Sequence, residues 1–445
     1  MSDGRIVGPQ PCPLPRKSSM RIPRKNRSIV LFAWLIGATS TLAARGGSQD
    51  GPDATFRALT IDGREVSGRI VAFGDDEVTL AVKEGKKEVL KFDRLVRLAR
   101  ESSTAIPAGE NSQAVLLGDG DRLMRASIRG ANDASLEVRS EVLGKLDVPL
   151  GNVLGLILSV PYRASDAIRI IERIRSEPRK SEVAWLANGD RVAGSFLGMD
   201  ERSIRFQVEQ KPVELDRGGV VAVGFDPKLL DYPRPKGAFL EASLADGTRI
   251  GLARIRMAEG NIEATSRIGP EVRFPLGELV RLQARSEAVV YLSERVPARA
   301  QYDDYVGPTL PYRLDRSVEG YPIRLGGETF DRGIGTQSRT FLAYRIEPGD
   351  RRFQATIGVD ERAGPLGSVV FRVFVDRREQ YRSPPMTDRD SPKTLDIDLD
   401  GGKILILATE FGERGNVRDH ADWAEARMIR SQPEGAGAPS DRSRR

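Results

Sequence analysis

The only histidine in this 445-residue chain stands in Asp419-His420-Ala421-Asp422-Trp423, a cluster whose side chains suit a polar ring as ligand. An indole offers a flat apolar face to such a ring, while carboxylates and an imidazole bond its polar groups. The same residues have a structural reading. Trp423 then belongs to a core, and Asp419 and Asp422 cap a turn or hold a structural calcium ion through hard oxygen ligands. The run 331–340 is open in the same way, with Arg332 and Arg339 as hydroxyl donors and Gly333 and Gly335 as tight-turn residues.

Most catalytic chemistries lack their parts. The one cysteine, Cys12, lies near the N-terminus, so the chain beyond it has no thiol for a disulfide, a zinc site or a cysteine nucleophile. A single histidine excludes multi-histidine metal catalysis, and a Ser-His-Asp triad would have to use His420 without a nucleophile-elbow motif. Neither a Gly-Lys-Ser phosphate loop nor a dinucleotide fingerprint occurs. A glycosidase needs only two carboxylates, but no segment is large enough for an ordinary glycosidase fold. The expectation is a protein that is not an enzyme and requires no cofactor.

Across 321–430 the landmarks Gly326-Gly327, Asp331-Arg332-Gly333-Ile334-Gly335-Thr336, Ile357-Gly358-Val359-Asp360 and the Asp419–Trp423 cluster follow in one order. That order resembles the NPCBM family of carbohydrate-binding modules. The resemblance implies a galactose-binding-like jelly-roll β-sandwich over 286–430 and a glycan or cell-envelope polysaccharide as partner. Arg332, Gln337, Arg339, Asp419, His420, Asp422 and Trp423 are then the sugar-contacting candidates, and Asp419 and Asp422 the calcium candidates. Two positions depart from the family: Gln337 stands where a histidine is frequent, and Asn416 where an acid is frequent, which weakens a calcium site there. Independently of the resemblance, short apolar runs at 341–346, 353–357, 369–375, 395–399 and 404–408, each bounded by Gly, Pro or Asp, read as sandwich strands.

The segment 45–284 repeats a pattern of strand, Asp-Gly or Asn-Gly turn, two further strands and a closing apolar run. The turns are Asp62-Gly63, Asp119-Gly120, Asn188-Gly189 and Asp246-Gly247, spaced by 57, 69 and 58 residues. The long interval holds a helical pattern near 165–175, with Ile168, Ile171 and Ile174 on one face. Val66, Leu123, Val192 and Ile250 recur three residues after the turn glycine, and Phe92, Leu150, Leu215 and Leu276 recur 26 to 30 after it. Both turn residues are expected at positive φ. Four small, twisted, β-barrel-like units follow, at about 54–100, 112–160, 181–226 and 237–284, too small to stand alone and expected to pack in pairs. The motifs at 59–68 and 186–194 resemble the first half of an Sm-like small barrel. The fold expected is all-β: four such repeats, then the sandwich.

Net charge is +6, from 69 Lys and Arg against 63 Asp and Glu, yet residues 1–44 hold seven of those cations and one of the acids. From Arg45 onward the charges cancel, 62 against 62, so the basicity does not indicate nucleic-acid binding. In 1–44 a basic stretch, an apolar run at 29–38 and small residues at 41–44 have the order of a secretory signal. An uncleaved membrane anchor is the alternative, although a spanning helix needs about 20 apolar residues. Met20 also suits a signal start better than Met1. The tail 431–445, rich in Gly, Pro, Ser and Arg, is expected to be disordered. These features describe an exported, non-catalytic carbohydrate-binding protein of the cell envelope or exterior. The alternatives are an envelope scaffold contacting other proteins through the repeats, or an accessory subunit of a glycan-degrading enzyme. Mass spectrometry of the native protein should find a mature N-terminus near Ala44 or Arg45; full-length chain in the cytosol would contradict export.

Overall fold

The computed structural model describes residues 54–101, 113–159, 164–233, 238–303, 310–399, 401–413 and 415–431. The proposed leader and nearly all of the proposed tail lie outside these residues. Strands dominate the described part, as expected of an all-β chain. Among the described residues no helix is long and apolar enough to cross a membrane.

Twenty strands fall into four groups of five. They are Thr55–Thr60, Glu65–Phe73, Glu77–Ala81, Lys87–Lys91 and Leu95–Arg100; Gln113–Leu117, Arg122–Ala131, Ser135–Ser140, Gly144–Pro149 and Val153–Ile157; Glu182–Leu186, Arg191–Met199, Ser203–Val208, Lys211–Asp216 and Val220–Gly224; and Phe239–Leu244, Arg249–Ala258, Asn261–Ser266, Glu271–Pro275 and Leu279–Arg285. In every group the first four strands form an antiparallel meander and the fifth returns beside the first. Each second strand carries a register shift against the third, at 70–72, 128–130, 196–198 and 252–254. A bulge of this kind bends the strand and tightens its twist, which is how so short a sheet curls around side chains.

Gly63, Gly189 and Gly247 have φ of 80°, 94° and 88°, but the Asp or Asn before each is not left-handed. These three hairpins close with Thr60 N donating to Arg64 O, Leu186 N to Asp190 O and Leu244 N to Thr248 O. The loop is thus three residues long, a turn followed by one left-handed glycine. Positive φ at both turn residues occurs only in the second group, at Asp119 and Gly120. A short 3-10 turn precedes each fifth strand and begins at Phe92, Leu150 and Leu276, but in the third group at Arg217 rather than near Leu215. There the Arg217 guanidinium caps Asp200 O and Ile128 O instead of an apolar side chain filling the place.

Fifth strands join the groups. Leu98 pairs with Leu282, linking the first to the fourth, and Leu156 pairs with Val223, linking the second to the third. Buried side chains from all four groups then form one continuous apolar cluster from Phe56 to Ala284. The helix Ala164–Ser176 covers the second junction, with Ile174 packed on Ala114, Leu116 and Trp185. Gly155 permits that approach, because a Cβ there would lie 2.5 Å from Ile174 Cγ2.

Eleven of the remaining described strands make a sandwich, and the other two, Ile323–Leu325 and Glu328–Phe330, pair as a separate hairpin. One sheet runs Arg313–Leu314, Gly333–Gln337, His420–Arg430, Asp350–Val359 and Lys393–Asp398, with Val289–Tyr291 also paired to His420–Arg430. The other runs Arg299–Tyr302, Thr340–Arg345, Ile404–Phe411, Val369–Val375 and Arg378–Arg382. Val369–Val375 alternates buried and half-buried residues along its whole length, the period-two pattern of a strand with one face in a core. A bulge at Glu425, φ 50°, resets the phase of the long strand His420–Arg430. Trp423, Ala426 and Met428 therefore all reach the inter-sheet core, while Glu425 turns to the opposite face. That face meets the four-group segment through Leu59, Val96, Val289, Tyr291 and Ile429.

A Cβ on Gly189 would meet no atom within 4 Å, so φ alone penalises a side chain there. Gly189→Val is expected to destabilise the protein by about 1–3 kcal/mol, read as a lower urea midpoint for the full chain. An unchanged midpoint would contradict the strained-turn account.

Candidate functional site

The sequence cluster 419–423 straddles the beginning of the longest sandwich strand, so its side chains alternate between faces. Trp423 is fully buried, edge-on to Phe371 at 5.1 Å, with Nε1 donating to Thr409 Oγ1 at 3.1 Å. Thr409 in turn pairs with Thr336, whose hydroxyl donates to Ala421 O. The indole is therefore a core side chain, and the expectation that it stacks on a sugar is corrected. No face of the ring is open to solvent.

Asp422 points the other way and is also fully buried. Its register partners on either side are glycines, Gly335 and Gly358. A Cβ on Gly335 would lie 2.4 Å from backbone atoms of Arg316, Ser317 and Val318. The two glycines thus let the segment 316–325 lie flat on this face as a roof over the carboxyl. Beneath it Asp422 faces Asp360, which accepts hydrogen bonds from Arg324 N and Arg362 N. Burial first, and then the neighbouring Asp360 carboxylate, push the Asp422 carboxyl well above its ordinary value of 3.8.

Asp419 has a different environment. Its Oδ1 accepts from Ser368 N at 2.8 Å, and burial pushes its carboxyl up to about 6. Asp419 and Asp422 are thus tied to different parts of the domain, Ser368 and Asp360, and do not share the geometry of one calcium site. Among the described residues no group of three or more His, Cys, Asp or Glu side chains could hold a metal.

Arg332 is corrected as well. It is 5% exposed and held by Glu294 at 2.8 Å and Glu241 at 3.4 Å, an internal ion cluster with no access for a sugar hydroxyl. Its position between the sandwich and the fourth strand group could not be read from its own neighbours in sequence.

The other candidates gather at one edge. Gln337 and His420 are register partners and share a face. Gln337 Oε1 accepts from Leu310 N, while His420 Nδ1 lies 3.8 Å from Glu319 Oε2. Burial lowers the His420 pKa, and Glu319 acts against that shift. Around the following turn Arg339, at φ 61°, pairs with Asp303 at 2.7 Å and lies over the Phe411 ring. Glu319, Asp303 and Asp360 were not among the sequence candidates. Only Asp360 had a signal, at the end of Ile357-Gly358-Val359-Asp360.

This edge belongs to an antiparallel sandwich and presents polar side chains of both hydrogen-bonding senses. Residues 288–429 match the NPCBM/NEW2 domain family. Over 115 residues the chain is 30% identical to a protein of Renibacterium salmoninarum named as an endo-alpha-N-acetylgalactosaminidase, covering 26% of this chain and 8% of that protein. It is likewise 30% identical over 117 residues to alpha-1,3-galactosidase B of Akkermansia muciniphila, covering 25% of this chain and 15% of the relative. The chain therefore spans a small part of the length of these curated relatives. A solved structure of CBM51 from Clostridium perfringens GH95 with methyl-galactose aligns at 28% identity, over 32% of this chain and 99% of that one, with a TM-score of 0.29.

The raised Asp422 pKa predicts a direction. Above pH 3.8 the unfolded carboxyl loses its proton while the folded one keeps it, so this group's effect on stability becomes less favourable as pH rises toward the folded pKa. Asp422→Asn retains a hydrogen-bond donor for Asp360 and cannot ionise. Relative to wild type, its melting temperature should improve steadily from pH 4 to pH 8; a difference that does not vary with pH would contradict a raised Asp422 pKa.

Proposed function

We propose that this chain is an exported, non-catalytic glycan-binding protein whose C-terminal sandwich recognises galactose- or galactosamine-type residues. The match of residues 288–429 to the NPCBM/NEW2 domain carries this reading. The sugar class is supported by both curated relatives, whose names specify hydrolysis at galactose or N-acetylgalactosamine. Glu319, Gln337 and His420 supply a carboxylate, an amide and an imidazole to the hydroxyls, and Arg339 with Asp303 forms a second polar pair beyond the turn. The buried Trp423, Asp419 and Asp422 hold the strand that presents these groups. Names of relatives that are glycosidases also favour a role in bringing a separate enzyme to its glycan.

Glycan-array and calorimetric titration of the full chain should show binding to galactose- or N-acetylgalactosamine-terminated glycans. Glu319→Ala and Gln337→Ala should each weaken it about tenfold, equivalent to ~1.4 kcal/mol, with little change in melting temperature. Absence of binding by the folded wild type to every such glycan would overturn the proposal.

A further inference from the structure

Where the first and fourth strand groups join, Thr55–Thr60, Leu95–Arg100, Leu279–Arg285 and Phe239–Leu244 pair side by side. Ala58, Leu98 and Leu282 point into the apolar core. Their neighbours Arg57, Ala99 and Arg281 therefore form one row on the opposite face, with Ala99 between the two arginines in register. Leu59 and Arg97 make the next row, and the sandwich covers the face around Leu59. Beside that contact the hairpin of Ile323–Leu325 and Glu328–Phe330 stands over the sheet. It is held there because Glu328 bridges Arg97 at 2.9 Å and Arg281 at 2.8 Å, and Thr329 O accepts from Arg281 Nη2 at 3.0 Å. Ala99 is too short to fill the space between its long neighbours. A cleft of about 700 Å³ remains, lined by both strand groups and by the hairpin. Its volume lies within the range of roughly 300–1,000 Å³ found for small-ligand sites, which favour junctions of this kind.

The charges of the lining are already matched. Arg57 lies 3.5 Å from Glu101, and Arg324 lies 3.2 Å from Glu361. Arg97 and Arg281 share Glu328 and also Glu425, at 3.6 and 3.7 Å. Arg100 gives Nη2 to Leu276 O and Gly277 O. The remaining lining acid, Glu65, stands in the row of Leu59 and Arg97. An ionic ligand would have to displace one of these partners, whereas a neutral one would not. The paired groups still have hydrogen bonds to give, since a guanidinium carries more N–H donors, and a carboxylate more lone pairs, than one partner uses. Arg57, Arg324 and Glu328 keep 52%, 48% and 42% of their side chains exposed at the mouth.

Hydroxyl groups both donate and accept, so they suit walls made of guanidinium donors and carboxylate acceptors. Leu59, Ala99 and Val280 add an apolar floor for the C–H face of a ring. An extended peptide has no place to pair, because Thr55–Thr60, Leu95–Arg100 and Leu279–Arg285 are each hydrogen-bonded to a strand on both sides and leave no free backbone edge. We propose that the cleft between the outer face of the first and fourth strand groups and the hairpin over it binds a neutral oligosaccharide. It is a carbohydrate site distinct from the Gln337–His420 edge and does not rest on the reading of that edge.

The test uses the full chain on an array of neutral galacto- and gluco-oligosaccharides, with oligogalacturonides beside them. A double variant, Glu319→Ala with Gln337→Ala, disables the edge and should still bind neutral oligosaccharides. In that background Ala99→Phe, which fills the cleft floor, should weaken the remaining binding at least about tenfold. Arg57→Ala, at the exposed mouth, should weaken it severalfold with little change in melting temperature, because an exposed ion pair contributes little to stability; it tests the cleft even where Ala99→Phe does not fold. Affinity should hardly change as sodium chloride is raised, as a neutral ligand requires. Binding present in wild type but lost in the edge variant would overturn the cleft and leave the edge reading standing. Equal binding in wild type and the edge variant, lost in Ala99→Phe or Arg57→Ala, would support the cleft and defeat the edge reading. Residual binding untouched by both cleft variants, a preference for oligogalacturonides, or no binding by wild type would each overturn the proposal.

Discussion

Two buried carboxylates, Glu241 and Glu425, hold the strand groups and the sandwich together. Glu241, on the first strand of the fourth group, lies among Arg249, Arg285 and Arg332. Glu425, on the longest sandwich strand, lies among Arg97, Arg281 and Arg427. Burial alone would raise both pKa values, but the arginines win: Glu241 is drawn down to about 2, and Glu425 also falls below its ordinary value. The Glu241 contribution is therefore full above pH 4.5 and fades as pH falls toward 2. Removing one partner from a buried cluster of this kind costs about 3–5 kcal/mol, because it strands the others. Glu328 extends the cluster outward, bridging Arg97 at 2.9 Å and Arg281 at 2.8 Å from the separate hairpin of Ile323–Leu325 and Glu328–Phe330.

That ionic layer constrains the candidate site at a distance. Glu425 reaches its arginines because the bulge rotates it out of the sandwich phase, and the same bulge keeps Trp423 and Met428 both in the core. The strand that begins at His420 is consequently anchored on both of its faces. One anchor is the Trp423–Thr409–Thr336 arrangement between the sheets, and the other is the arginine cluster on the outer face. Next to them Asp360, which faces Asp422, fastens the roof segment that brings Glu319 beside His420. Polar groups at the edge are positioned by buried neighbours, so few of them need to be rigid on their own account.

The two halves of the molecule solve the problem of small cores differently. Each five-stranded group is too short to bury its own apolar face, and its fifth strand is used twice, once to return beside the first strand and once to pair with another group. First pairs with fourth and second with third, so the chain folds back on itself and the ends of the repeated segment meet. The sandwich closes a core of its own and then presents its outer face to this assembly.

Sequence by itself determined the elements. Period-two alternation marked the strands, the left-handed glycines marked the turns at 63, 120, 189 and 247, and the ordered Gly and Asp landmarks marked the sandwich, because these signals arise from backbone geometry within a few residues. It also marked the chemistry available to 419–423 without saying which atoms face solvent. Tertiary structure alone decided that Trp423 is enclosed, that Asp422 lies beneath a roof and that Arg332 serves an ion cluster. Each of those outcomes depends on a segment far away in the chain, Phe371 for the indole, 316–325 for the carboxyl and Glu241 for the guanidinium, and burial is a property of what packs from outside rather than of the residue itself.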